Sequence, residues 1–380
     1  MRSAVYIPYI IFGYLSLFTL GLLDNARGPY FPDIASSLDL SDTKASFLFV
    51  TTSFVSFLMG RTVPSLMKKL SLLNLLRIGH FSMAAGILSM AWITNLTTLI
   101  VAAAVFGIGF GTVNVAQNVL IFDGATASTK RQLLSGLHSF YALASLFSPL
   151  IISLLASEGL DWRRGLIFFS AVPLLAFVYS FFCQEQEHTS GRQRGDLPAQ
   201  FRKDVLAFGL GLGFYVLAEV LLCTRMVLFL EREHGLAIQV SAIYLSLFFV
   251  FMFVGRLLFT LVKFKNLTNR DIIRVSLALS TVCFVLGLII SPLFLALSGL
   301  FMGPIFGVSI DYSSQIFSYA ATQALSSVLA LQALAIVCMH FFVGFITEHF
   351  GIKNAMLLGP LFMGLSFLIV QLEPWKKRSH

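Results

Sequence analysis

Apolar residues run through this chain in long stretches, almost end to end, and the breaks between them are short and polar. A bilayer core of about 30 Å takes roughly 20 apolar residues as a helix, and stretch after stretch here meets that length. Bounded by charges, Pro and Gly, they predict helices near 5–30, 43–66, 71–93, 96–122, 133–156 and 163–183. A second set follows near 203–229, 239–262, 270–290, 292–316, 320–346 and 352–371. Between the sets lies the polar segment QEQEHTSGRQRGDLPAQFRK. The pattern predicts an all-α membrane protein of twelve transmembrane helices, with an N-terminal bundle over 1–183, a cytoplasmic linker over 184–202, and a C-terminal bundle with a short basic tail over 203–380. The opening apolar run has no A-x-A-like cleavage site after it and continues into DNARGP, so it reads as a retained first span.

Composition removes the soluble alternative. Hydrophobic residues make up 57% and charged residues 12% of the chain, with a mean hydropathy of +0.86; no water-soluble fold of this length hides so much apolar side chain. The net charge of +8 comes from basic residues scattered through short loops, not from one stripe, so no nucleic-acid partner is expected. Topology accounts for them instead. With the N-terminus cytoplasmic, the outer side carries only Lys44, Arg163, Arg164, Arg232 and Lys353, while the inner loops and tails hold nearly all the rest. The positive-inside rule then puts both ends in the cytoplasm, and the expected location is a bacterial cytoplasmic (inner) membrane. Cys183, Cys223, Cys283 and Cys338 form no CxxC and no ligand-like spacing to histidine, which assigns them to packing and predicts no metal or cofactor.

The two helix sets repeat one another. MGRTVPSLMKKLSLLN aligns without gaps on VGRLLFTLVKFKNLTN, bringing Gly60 onto Gly255, Arg61 onto Arg256, Lys68 onto Lys263 and Asn74 onto Asn269. The same register carries Asp24 of the first helix onto Glu219 of the seventh. Parallel six-helix repeats are a transporter architecture, with the solute site expected between the halves. Together these features resemble the major facilitator superfamily over the whole chain. GRTVPSLMKKL keeps the glycine and basic end of the family's loop pattern G-x-L-a-D-r-x-G-r-R/K but lacks its aspartate, DWRRGLIFF is similar to W-R-x-x-F, and GFITEHFG to G-x-x-x-D-x-x-G. Within the superfamily, GLHSFYALASLFSP resembles the helix 5 stretch of fucose permeases and glucose/galactose porters, with Ala142 and Ala144 in place of glycines. That resemblance implies a proton-coupling role for Asp24. The second carboxylate of those permeases is missing from helix 4, where Asn114, Gln117 and Asn118 stand instead.

An ionisable side chain inside a membrane helix costs roughly 2.5–3.5 kcal/mol on insertion scales and is a functional candidate for that reason. Asp24 has Arg27 three residues later on the same face, close enough to pair; the pair either opens during transport or permanently locks the first helix. Glu219 has no basic residue one turn away, so local sequence makes it the better proton carrier. Arg225 points to another side and is a candidate for an anionic or hydroxyl-rich solute, or for pairing with Glu231. Asn114, Gln117, Asn118, Tyr141, Tyr215 and Gln332, with Arg27, complete the expected binding set, because amides and hydroxyls both give and accept hydrogen bonds. The same amides also glue membrane helices together. Arg61, Arg256, Asp311 and Gln315 sit toward the cytoplasmic ends and are expected to gate; His138 and Gln323 are further polar positions within helices. Gly107 and Gly111, and Gly299, Gly303 and Gly307, have GxxxG spacing and predict close helix contacts, not a phosphate loop. No nucleophile, base or metal cluster appears at enzymatic spacing. The expected function is secondary active transport by a monomer, proton-coupled symport of a small polar solute such as a sugar through alternating access; the alternative is efflux of an amphipathic drug or lipid-like compound.

Overall fold

A computed structural model describes residues 5–126, 129–185, 201–261, 267–317 and 321–373. Among them the regular elements are helices, as a hydrocarbon solvent demands, since a helix satisfies its own backbone groups. Twelve are long and apolar enough to cross a membrane. The chain divides into two compact units, Met1–Gly191 and Arg192–His380. The first holds α1 (Ile7–Ser37), α2 (Phe47–Leu66, entered by a turn at Asp42–Ala45), α3 (Leu72–Met90), α4 (Leu96–Gly124), α5 (Lys130–Ser157) and α6 (Trp162–Tyr179). The second holds α7 (Arg202–His234), α8 (Ile238–Leu261), α9 (Asn269–Ile289), α10 (Pro292–Phe317), α11 (Ala321–Phe350) and α12 (Leu358–Leu372, entered by Ile352–Met356). Most of the expected linker, 186–200, lies outside the described residues.

Two helices run well past their predicted ends. α1 continues to Ser37 through Pro29 and Pro32, because Tyr30, Phe31, Ile34 and Ala35 are buried and keep that length packed. α7 continues to His234 and is stopped by Gly235, whose φ of 63° suits glycine at the end of a helix. Helix starts follow local chemistry: Ser71 caps α3, Asn95 and Thr98 form a capping box at α4, Asp161 caps α6, and Thr268 with Asp271 forms a second box at α9.

Inside each unit the same helix pairs pack: α1 on α5, α2 on α4, α3 on α4 and α3 on α6 recur as α7 on α11, α8 on α10, α9 on α10 and α9 on α12. Glycines make the α2–α4 and α8–α10 contacts possible. A Cβ at Gly107 would lie 2.9 Å from the Thr52 carbonyl oxygen, and one at Gly111 would lie 2.6 Å from that of Ser56. In the second unit Gly299 and Gly303 press likewise on the Phe248 and Met252 carbonyls of α8, while a Cβ at Gly307 would meet nothing within 4 Å.

Arginines close the helix ends. Arg163 at the start of α6 donates to the Ala91 and Ile93 carbonyls just past α3, at 2.7 and 3.1 Å. Arg77 in α3 returns the contact by donating to the Ser180 carbonyl past α6 at 3.1 Å. In the second unit Arg270 of α9 donates to the Gln371 carbonyl of α12 at 2.6 Å and pairs with Glu373 at 3.1 Å. Unsatisfied carbonyls at a helix C-terminus attract cations in this way.

Candidate functional site: an intramembrane carboxylate in each unit

In the first unit the site grows from a polar seam between α1 and α5. Gly21 lets the helices close: a Cβ there would sit 2.7 Å from the Tyr141 carbonyl oxygen and 3.0 Å from the Ala144 Cβ. At that approach Asn25 donates to Ser145 Oγ at 2.9 Å, and Ser148 donates to the Leu22 carbonyl at 2.8 Å. One position along, the Tyr141 hydroxyl donates to Asp24 Oδ2 at 2.8 Å. Arg27 Nη2 holds the other oxygen, Oδ1, from three residues away on the same helix. Arg27 is 5% exposed. Its guanidinium lies over three rings, 4.9 Å from the centre of Phe106, 5.6 Å from Phe49 and 6.0 Å from Phe110. Such faces attract a cation, yet Nε and Nη1 have no hydrogen-bond partner among the described residues.

In the second unit the site is built on α7 itself. Tyr215, fully buried, sits one turn before Glu219 and donates its hydroxyl to Glu219 Oε2. The Met302 carbonyl of α10 lies 3.1 Å from the same hydroxyl. From α8, Arg256 brings Nη2 to 4.0 Å from Glu219 Oε1. Its Nε donates to the Gly303 carbonyl at 3.3 Å, and its side chain is 37% exposed. The sequence leaves Glu219 without a basic neighbour because Arg256 is close only in space.

The remaining predicted positions separate into groups. Gln117 is fully buried, with its Oε1 lacking a hydrogen-bond partner among the described residues; its Nε2 and the Asn118 amide both donate to the Asn114 carbonyl, at 3.3 and 2.9 Å. Gln332 of α11 is also buried, faces Gly213 of α7 and has no partner for Nε2 among the described residues. Arg225 is buried within α7. Asp311 accepts from Asn269 at 2.6 Å and from Gln315 at 3.0 Å, tying α10 to the start of α9. Arg61 is exposed and lies 5.5 Å over the Phe57 ring of its own helix. The side chains of His138 and Gln323 lie outside the described residues.

Sequence reasoning missed the ring cage of Arg27, the Asn25–Ser145 and Ser148–Leu22 seam, and the Arg270–Glu373 contact. Ser145 and Ser148, three residues apart after Tyr141, are a visible polar face of α5 that pointed to the seam; the cage had no signal among 39 Phe. The second unit also contains an apolar crevice of about 410 Å³ lined by Leu217, Ala335, Cys338, Met339, Phe342, Ile346, Leu358 and Phe362.

Comparison with known proteins shows the family through one family model and the fold through solved structures. The family model described as Major Facilitator Superfamily matches residues 13–326. Among curated proteins, Sodium-dependent glucose transporter 1A of Mus musculus is 28% identical over 144 residues, 37% of this chain. That match spans only 33% of the mouse protein's length. Among solved structures, a bacterial homolog to the human lysosomal transporter Spinster, inward-facing and occupied, superposes with a TM-score of 0.79 at 14% identity, covering 98% of this chain and 97% of that one. A D-xylose-proton symporter gives 0.76 at 13% identity, covering 96% and 97%. At those identities the likeness is one of fold.

Proposed function

The chain belongs to the major facilitator superfamily, and from that premise we propose that this membrane transporter carries a small polar solute, such as a sugar, in symport with protons by alternating access. The observation that carries the reading is the intramembrane carboxylate in each unit, bound by a tyrosine hydroxyl and faced by a guanidinium. Such groups in a bilayer serve substrate or ion pathways by default. Asp24 and Glu219 are the coupling carboxylates. Arg27, Asn114, Gln117, Asn118, Tyr141, Tyr215, Arg225 and Gln332 are the binding set, in which the unmade hydrogen bonds of Gln117 and Gln332 offer one acceptor and one donor to a hydroxyl. Arg61, Arg256, Asp311 and Gln315 gate. The protein works as a monomer in a bacterial inner membrane, with both termini in the cytoplasm.

The names of a glucose transporter and a xylose-proton symporter among similar proteins support a sugar, and the first of them raises sodium as the rival coupling ion. Uptake of radiolabelled D-glucose and D-xylose into proteoliposomes separates the two. Accumulation under an inward proton gradient, lost in Asp24→Asn with Glu219→Gln, is the expected result; accumulation that follows a sodium gradient alone would sink proton coupling. A second reading, efflux of an amphipathic compound, is favoured by the apolar crevice on α7, α11 and α12. It predicts that a lipophilic cation, not a sugar, raises the thermal stability of the purified protein.

A further inference from the structure

Near the end of α1, one buried hydroxyl is left without a partner. Tyr30 is 2% exposed, and its hydroxyl makes no hydrogen bond among the described residues. Buried polar atoms in folded proteins are nearly always satisfied, so such an orphan needs a physical account. The ring meets Phe169 of α6 edge-on, with centroids 6.5 Å apart, and the hydroxyl reaches the first turn of that helix. Glycine makes room for it there: a Cβ at Gly165 would collide with the Tyr30 hydroxyl.

Two carboxylates flank this hydroxyl. Asp33 follows Tyr30 by three residues, which on a helix places it on the same face, one turn farther on. Asp161 caps α6, and its carbonyl accepts from the Gly165 N–H at 3.0 Å, so it lies one turn before the glycine that the phenol covers. Both aspartates are close enough for their charges to act on Tyr30, and Asp161 acts on Asp33 as well. Each keeps oxygens to offer. Asp161 uses Oδ1 to accept the Arg164 N–H at 3.0 Å, which leaves Oδ2. Asp33 is half-buried, and its contact with Ser36, at 3.1 Å, is made by its backbone carbonyl and not by its side chain. The neighbouring arginines do not neutralise the pair. Arg163 is committed to the Ala91 and Ile93 carbonyls and lies 4.2 Å over the Trp162 ring. Arg164 is exposed, and among the described residues its side chain pairs with neither aspartate.

We propose that Tyr30, Asp33 and Asp161 form a calcium site that clamps the end of α1 to the start of α6, on the outer face of the membrane in the topology given above. The donors are all oxygen, which suits a hard cation, and the two carboxylates supply two negative charges to a divalent one. Calcium takes about six to eight oxygens in irregular geometry and lets water complete its shell, whereas magnesium demands a near-ideal octahedron that two helix ends and a phenol do not present. The phenol turns a lone pair to the ion and its proton to a free carboxylate oxygen, so the stranded atom is satisfied on both counts. Because the aspartates belong to different helices, the bound ion ties α1 to α6, and its loss leaves two like charges facing each other. Nothing in this site depends on the transported solute or on the coupling ion.

Terbium, a luminescent substitute for calcium that is excited through nearby tyrosine and tryptophan, tests this on the full purified chain after treatment with a chelator. Sensitised emission that calcium displaces, and that magnesium and sodium at matched ionic strength displace several-fold less readily, is the expected result. Either of those ions displacing terbium as readily as calcium overturns the assignment. Asp33→Asn and Asp161→Asn, the second of which preserves the helix cap, are each expected to lose the calcium-displaceable emission; its persistence in either refutes the site. Calcium is also expected to raise the unfolding midpoint of the wild type and leave that of Asp33→Asn unmoved, and equal shifts refute the clamp. Should an aspartate variant fail to fold, Tyr30→Phe decides, since it removes only the stranded hydroxyl. It is expected to bind calcium several-fold more weakly than the wild type, and an unchanged affinity overturns the proposal.

Discussion

The α1–α5 seam of the first unit and the α7–α8 corner of the second hold the same three groups, a carboxylate, a phenol and a guanidinium, assembled in opposite ways. Around Asp24 the cation belongs to the carboxylate's own helix and the phenol comes from another. Around Glu219 the phenol is on the same helix and the cation comes from another. An ion pair three residues apart on one helix is not separated by moving that helix as a body. A pair drawn from α7 and α8 opens when those helices shift against each other, or when one charge is removed. The repeat thus preserves where the negative charge sits and changes what answers it. Its anchors diverge in the same manner: a Cβ at Gly255 would collide with the Leu300 carbonyl of α10, whereas one at Gly60 would meet nothing within 4 Å.

The largest effect expected to test this contrast is on Asp24→Asn. It strands a buried cation and should cost about 3–5 kcal/mol, read as a lowered unfolding midpoint in detergent, with much of the loss regained in Asp24→Asn/Arg27→Gln. Glu219→Gln should cost far less, because Arg256 is partly solvated; equal losses would erase the distinction between the two sites. Next comes the phenol. Tyr215→Phe removes a fully buried hydrogen bond to a charged group and should cost about 1.5–3 kcal/mol, more than Tyr141→Phe at its half-buried position. Third, Gly255→Ala forces α8 away from α10 and should cost about 1–3 kcal/mol, while Gly60→Ala should be neutral or slightly stabilising through helix propensity. Smallest is Arg61→Gln, within about 0.5 kcal/mol of wild type as an exposed side chain over one ring, whereas the matching Arg256→Gln should change proton-driven uptake.

Much of this organisation is legible in the sequence. Helix number followed from span length, and the glycine contacts of α4 and α10 from GxxxG spacing, because close approach needs small residues wherever two helices cross. The extension of α1 through Pro29 and Pro32 was not legible, since local rules stop a helix at such residues while packing of Tyr30 and Phe31 carries it on. Asp24 and Arg27 could be paired on paper because helix geometry fixes their relation. Arg256 could not be assigned to Glu219, because the turns and the crossing of α7 with α8 decide how far its side chain reaches.

By itself, then, the sequence determined the solvent the protein lives in, the count of its spans, and the two intramembrane carboxylates, all of which are periodic or local properties. Tertiary structure alone decided which cation answers Glu219 and how deeply each cation is buried. Charge interactions depend on distance and exposure in three dimensions, and residues on different helices acquire both only when the helices pack.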